Sequence, residues 1–189
     1  MRLLVALIVA TLLTAVAPVS AQVVPDAPLA HGTLAFDGKG TLGGFTGVTT
    51  TLTGQLIGAN TLSGARGWVE VPAKSLSTNN GHRDNDMAGS LELAKYPDIR
   101  FDLDSVAPGE QHGDSTTVTL SGWFTIHGQK RAARVPGWAW LTATSVRFRG
   151  ALPMNVKDYG VGGLSKMFGV LKMNEMITVR IDVAFGGER

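Results

Sequence analysis

The 189-residue chain contains no cysteine. That absence excludes disulfides, iron–sulfur clusters, a thiol nucleophile, thiolate zinc sites and a lipid anchor on an N-terminal cysteine. Stability must come from an apolar core, which a chain of this length buries unaided. Excess charge of one sign is equally scarce: 17 basic and 15 acidic residues leave a formal net charge of +2. So small an excess gives no basic stripe, and no nucleic-acid partner is expected. Charged residues make up only 17% against 44% hydrophobic, which excludes a disordered chain.

Catalytic and cofactor motifs are also missing. The four histidines, His31, His82, His112 and His127, show no H-x-x-x-H spacing, and no G-x-S-x-G elbow occurs. Gly38-Lys39-Gly40-Thr41-Leu42-Gly43 fits G-x-G-x-x-G, yet a threonine-rich, strand-like segment follows it where a helix must receive the pyrophosphate. The next acidic residue after Asp37 is Glu70, too far on to bind a ribose, so this segment is a turn. Asp84-Asn85-Asp86 fails the EF-hand template, because the twelfth position is Lys95. A capped, solvated helix start explains His82, Asp84 and Asp86 better than a metal does. No catalytic residue, metal or cofactor is assigned.

What is present begins with an export pattern. Met1-Arg2 is a short positive start, Leu3–Val16 is almost wholly apolar, and Val19-Ser20-Ala21 suits a cleavage site. The run is shorter than the ~20 residues a membrane span needs. Residues 1–21 are therefore expected to be a removable signal, 22–30 a mobile leader with Pro25 and Pro28, and 31–187 one domain. All 24 glycines follow residue 21, about one residue in seven and twice the usual ~7%, which suits many tight turns.

Period-two alternation dominates after His31. Val118, Leu120, Phe124 and Ile126 oppose Thr117, Thr119, Ser121, Trp123 and Thr125. Ile177, Val179, Ile181, Val183 and Phe185 alternate with Thr178, Arg180, Asp182 and Ala184; similar patterns cover Ile99–Leu103 and Val146–Val156. Further strands are expected at Thr33–Asp37, Leu62–Pro72, Lys130–Thr142 and Thr41–Ile57, the last a single long strand bent at Gly47 or Gly54. One dry and one wet face mark antiparallel sheet. About eight such strands without βαβ alternation make the chain all-β, as a closed antiparallel β-barrel in preference to a sandwich. A short helix is predicted over Arg83–Leu93, capped by Asn79 or Asn80 and stopped by Pro97.

Three features bear on function. His127 ends a strand beside Gly128, Lys130 and Arg131, which fits a base or head-group contact less well than a turn histidine bonded to backbone. Trp68, Trp123, Trp138 and Trp140 fit either an exposed contact patch, for a homodimer or a transient membrane contact, or packing against neighbouring strands. The apolar loop Lys157–Met173 supplies Met167, Phe168, Leu171 and Met173 as a gate at a barrel mouth or as a plug of ordinary core.

The segment Thr78-Asn79-Asn80-Gly81-His82-Arg83-Asp84 with Lys95-Tyr96-Pro97-Asp98-Ile99-Arg100-Phe101 resembles the central signature of the YceI-like family. Gly122-Trp123-Phe124-Thr125-Ile126-His127-Gly128 and Asn155-Val156-Lys157-Asp158-Tyr159-Gly160 are similar to its two later elements, in the same order, over about His31 to Phe185. The resemblance implies a lipocalin-like β-barrel, exported to the periplasm, that carries a polyisoprenoid or other amphiphilic lipid in an elongated cavity. It implies no established catalysis. The cavity residues expected are Phe36, Leu52, Phe101, Leu103, Leu120, Phe124, Ile126, Phe148, Leu152, Ile181 and Val183, with Met167 and Phe168 at the mouth. The head group is expected near Lys130, Arg131 or the Lys157–Met173 loop. Two other readings stand beside this one: a filled barrel acting through its tryptophan surface, and an envelope enzyme using His127 with Asp84 or Asp86.

Overall fold

The computed structural model describes residues 23–162, 165, 166 and 171–187. The expected signal segment lies outside them, as do Met167 and Phe168. Described strands are β1 (Ala27–Gly40), β2 (Gly43–Thr49), β3 (Thr53–Ile57), β4 (Arg66–Pro72), β5 (Asp98–His112) and β6 (Ser115–Ile126). They continue with β7 (Gln129–Leu141), β8 (Ser145–Asn155), the two-residue β9 (Ser165–Lys166) and β10 (Leu171–Lys172), and β11 (Met176–Gly186). One α-helix, α1 (Gly81–Ser90), lies between β4 and β5.

Eight strands close an antiparallel barrel in the order β1, β3, β4, β5, β6, β7, β8, β11, with β11 returning to β1. The alternation of the sequence explains the wall. Val118, Phe124 and Ile126 on β6, Val146, Phe148, Leu152 and Met154 on β8, and Val179, Ile181, Val183 and Phe185 on β11 are all buried, and Trp123, Arg147, Arg149, Ala151, Pro153 and Arg180 between them are exposed. Val135 on β7 is wholly buried at the centre of this core. β8 and β11 run in unbroken register from Met176 opposite Asn155 to Gly186 opposite Ser145.

Three expectations need correction. The leader is structured from Val24: its amide and carbonyl both bond Ala59, and β1 already begins at Ala27, with Leu29 opposite Phe185. Closure of the barrel on its own last strand recruits residues that composition alone assigns to a tail. Second, Thr41–Ile57 is two strands. Both keep one register against β1, with Leu34 opposite Thr49 and Pro28 opposite Gln55, so no residue is inserted at the break. The break falls at residues 50–52, where the Thr51 amide donates to the Thr49 hydroxyl at 3.0 Å in place of a ladder carbonyl. Gly47 and Gly54 sit within regular ladders instead. A Cβ on Gly47 would stand 2.2 Å from the Phe36 ring, so this glycine makes room for an aromatic neighbour.

Third, α1 starts and stops earlier than Arg83–Leu93. Asn80 caps it by accepting the Arg83 amide at 3.0 Å. Its end is a Schellman turn, in which the Glu92 amide bonds Gly89 and the Leu93 amide bonds Ala88. Glu92 takes the left-handed position (φ +48) that glycine usually fills.

Candidate functional site

The split between β2 and β3 builds the mouth of the barrel. β3 goes on to pair with β4, whereas β2 turns its outer edge to the segment before α1, with Val48 and Ser77 bonded in both directions and the Thr49 and Ser75 hydroxyls 2.7 Å apart. α1 is then docked by Asp84. Its carboxylate accepts the Thr78 amide at 2.9 Å, the Thr78 hydroxyl at 2.7 Å and the Ser77 hydroxyl at 3.0 Å. The Thr78 hydroxyl, with these other donors and the nearby Arg83, holds the Asp84 carboxyl below the usual carboxylate range against the opposing effect of burial.

Beneath the helix lies a cavity of about 370 Å³. The β1–β2 hairpin contributes Leu34, Phe36 and Phe45; α1 and its end contribute Arg83, Asp86, Met87, Ser90 and Leu91. Ile99, Phe124 and Ile126 form the inner wall. Met154, Val156, Tyr159, Ile177 and Val179 complete the far side. The lining is apolar apart from Thr41 in the β1–β2 hairpin, Arg83, Asp86 and Ser90 on α1, and the Tyr159 phenol. The Arg83 guanidinium lies 4.3 Å from the centroid of the Phe45 ring, which spans helix to hairpin across the opening. Burial raises the Tyr159 hydroxyl above its ordinary value, with the neighbouring Asp158 adding to the effect, so this wall presents a neutral phenol. A second, deeper void of about 90 Å³ continues down the barrel axis.

Of the expected cavity residues, Phe36, Phe124 and Ile126 line the upper cavity, and Leu52, Phe101, Leu103, Leu120, Phe124, Phe148, Ile181 and Val183 line the deep void. Leu152 is buried but borders neither. Met167 and Phe168 lie outside the described residues; Met173, from the same loop, does line the upper cavity. Lys130 and Arg131 do not. Lys130 pairs with Asp102 at 3.7 Å outside the wall, and the Arg131 guanidinium donates to the Asp158 carbonyl at 2.9 Å. The rim pair Arg83 and Asp86 was within reach of sequence reasoning, since both lie on the same side of one helical turn.

His127 and Gly128 form the two-residue turn between β6 and β7, both with positive φ (+51 and +71). The His127 ring packs edge-on against Tyr96, centroids 4.8 Å apart, and its Nδ1 is 3.1 Å from the Tyr159 carbonyl. Nε2 is 3.4 Å from a Glu92 carboxylate oxygen, close enough for an ion pair but without hydrogen-bond geometry. The ring therefore ties three loops together behind the cavity, while Asp84 serves Ser77 and Thr78. Among the described residues no group of three or more His, Cys, Asp or Glu is placed to hold a metal.

The tryptophans are not a bare patch. Arg100 lies over Trp68 at 4.4 Å, Lys130 over Trp123 at 5.8 Å and Arg147 over Trp140 at 6.0 Å, and His112 meets Trp138 edge-on. A larger concavity, about 1090 Å³, is a groove on the outside of the wall near Trp138. Its charged side chains already pair, Arg149 with Asp182 at 2.7 Å and Arg180 with Asp37 at 2.8 Å, so the interior cavity is the better candidate.

A model of the YceI-like domain matches residues 26–185. Among solved structures, BcnA of Burkholderia cenocepacia is 16% identical with a TM-score of 0.68, over 81% of this chain and 95% of that one. A polyisoprenoid-binding domain from Saccharophagus degradans, described as implicated in plant cell wall breakdown, is 17% identical with a TM-score of 0.68, over 85% and 98%. A Campylobacter jejuni YceI protein is 17% identical with a TM-score of 0.51, over 66% and 73%. Among curated proteins none matches. At these identities the structural likenesses establish a shared barrel.

Proposed function

Because the chain belongs to the YceI-like family, we propose that it sequesters an amphiphilic lipid with a polyisoprenoid tail inside the barrel. The observation that carries this reading is the apolar cavity under α1, which few polar side chains line. At about 370 Å³ it falls within the ~300–1,000 Å³ typical of ligand sites. Each 100 Å² of tail removed from water contributes roughly 2.5 kcal/mol, so an unreactive pocket retains such a ligand without specific chemistry. The polyisoprenoid-binding description of the Saccharophagus degradans domain supports the same ligand class. The head group remains at the rim, within reach of Arg83, Thr41 and Ser90.

The role is carriage, not turnover. The ligand enters from a membrane surface through the mouth, where Leu42 at the β1–β2 tip borders the cavity and is 87% exposed. Residues 1–21 direct the chain out of the cytoplasm and are then removed. Mass spectrometry of an organic extract from protein purified from its own envelope without detergent tests the reading. A stoichiometric polyprenyl species is expected. An empty extract, together with no uptake of a fluorescent isoprenoid by the folded protein, overturns it. The intact mass of the same preparation should begin at Gln22.

A further inference from the structure

The upper cavity and the deep void share three lining residues: Leu34 on β1, Ile99 on β5 and Phe124 on β6. They form a waist across the barrel axis. Phe124 is 3% exposed, and its ring is held by Phe101, its cross-strand partner, with centroids 4.7 Å apart and planes tilted by 43°. Phe101 stands on the deep side of this waist, so the pair closes the upper cavity from below. The deep void, about 90 Å³, has roughly a quarter of the volume of the upper cavity, so it offers a tail far less room.

We propose that Leu34, Ile99 and Phe124 are a chain-length ruler that limits this protein to isoprenoids whose tails end above the waist. The proposal rests on the carrier reading and adds a selectivity to it. A tail that fits the upper cavity gains affinity with every isoprene unit buried. A longer one must displace the Phe124 ring from Phe101 or leave its excess in water. Shortening a waist residue joins the two chambers and extends the room available. Ile99 is the side chain to shorten first, because it is only partly buried and the aromatic pair stays intact.

The test is a titration of prenyl alcohols of increasing length, from geraniol through farnesol and geranylgeraniol to longer polyprenols, by displacement of a fluorescent isoprenoid. The full-length mature protein is compared with Ile99→Ala, Phe124→Leu and the control Leu152→Ala, which is buried but borders neither chamber. Wild type should gain about tenfold or more in affinity per added unit, then stop gaining at one length. Ile99→Ala and Phe124→Leu should move that limit to a longer alcohol, and Leu152→Ala should leave it in place. Thermal melting identifies any variant that is unfolded, and the remaining waist variant then decides. Affinity that rises without limit in wild type, or a limit that neither folded waist variant moves, overturns the ruler and leaves the carrier reading intact. No binding of any alcohol by folded wild type overturns both.

Discussion

The barrel has a regular side and a broken one. β6 to β8 and β11 carry long antiparallel ladders with residues alternating in and out, and β5 joins β6 through a long ladder whose register shifts at Leu103/Ser105 and Pro108/Gln111. β1 to β3 and α1, on the other side, are joined by a ladder that opens at residues 50–52 and by side chains that bond backbone, namely Thr49, Asn80 and Asp84. Burial of apolar surface maintains the regular side. Individual polar contacts maintain the mouth, and there the cavity opens. The difference shows how one small domain keeps a stable wall and an accessible interior, since the two rest on different forces.

The largest perturbation should come from the regular side. Phe148→Ala removes a buried ring beside the deep void and should cost about 3–5 kcal/mol, read as a lower urea midpoint for the whole barrel. Asp84→Asn acts on the broken side: it weakens three hydrogen bonds to Ser77 and Thr78, at roughly 1–2 kcal/mol. Amide exchange should quicken across α1 while the wall strands stay protected. Equal exchange on both sides would show that the two unfold together and erase the distinction.

Acid tests the same contrast. Asp84 is held below its ordinary value chiefly by the Thr78 hydroxyl, and Asp182 chiefly by Arg147. Both groups bind protons less readily when folded, so each contributes stability that is fully present above the unfolded value near ~3.9 and is lost as pH falls through the folded value. The urea midpoint should hold level down to about pH 4 and decline below it, with a shallower decline in an Asp84→Asn, Asp182→Asn double variant. Glu92→Gly should stabilise α1 by roughly 0.5–1 kcal/mol, the left-handed penalty less the added freedom of the unfolded chain, raising the melting temperature slightly. Arg147→Ala, which removes an exposed bridge to Asp182, should cost less than about 1 kcal/mol, and the cost should shrink further in high salt.

Much of the regular side is legible in the sequence, because period-two alternation in β6, β8 and β11 reports burial directly. The position of Asn80 ahead of α1 is legible for a similar reason: capping is local. The rest depends on partners distant in sequence or on unusual residues. Nothing near Ala27 announces that Leu29 lies opposite Phe185. A Schellman turn with Glu92 in place of glycine gives no helix-stop signal, so the predicted end overruns it. Alternation also identifies which side chains point inward without revealing whether they meet. The roles of Phe101 and Phe124 at the floor of one chamber and the roof of another are visible only once the rings are placed.

The pairing of β1 with β11 joins Leu29 to Phe185, nearly the two ends of the domain. Such a ladder has a high contact order, and its loop must close before any of its bonds form. A chain that emerges start-first from a ribosome or a membrane pore therefore waits for its final strand with one edge of β1 unpaired. During that interval the unpaired edge is open to pairing with another chain. Synthesis of the whole domain is thus a condition for shielding it, and any truncation that removes β11 leaves the edge permanently open.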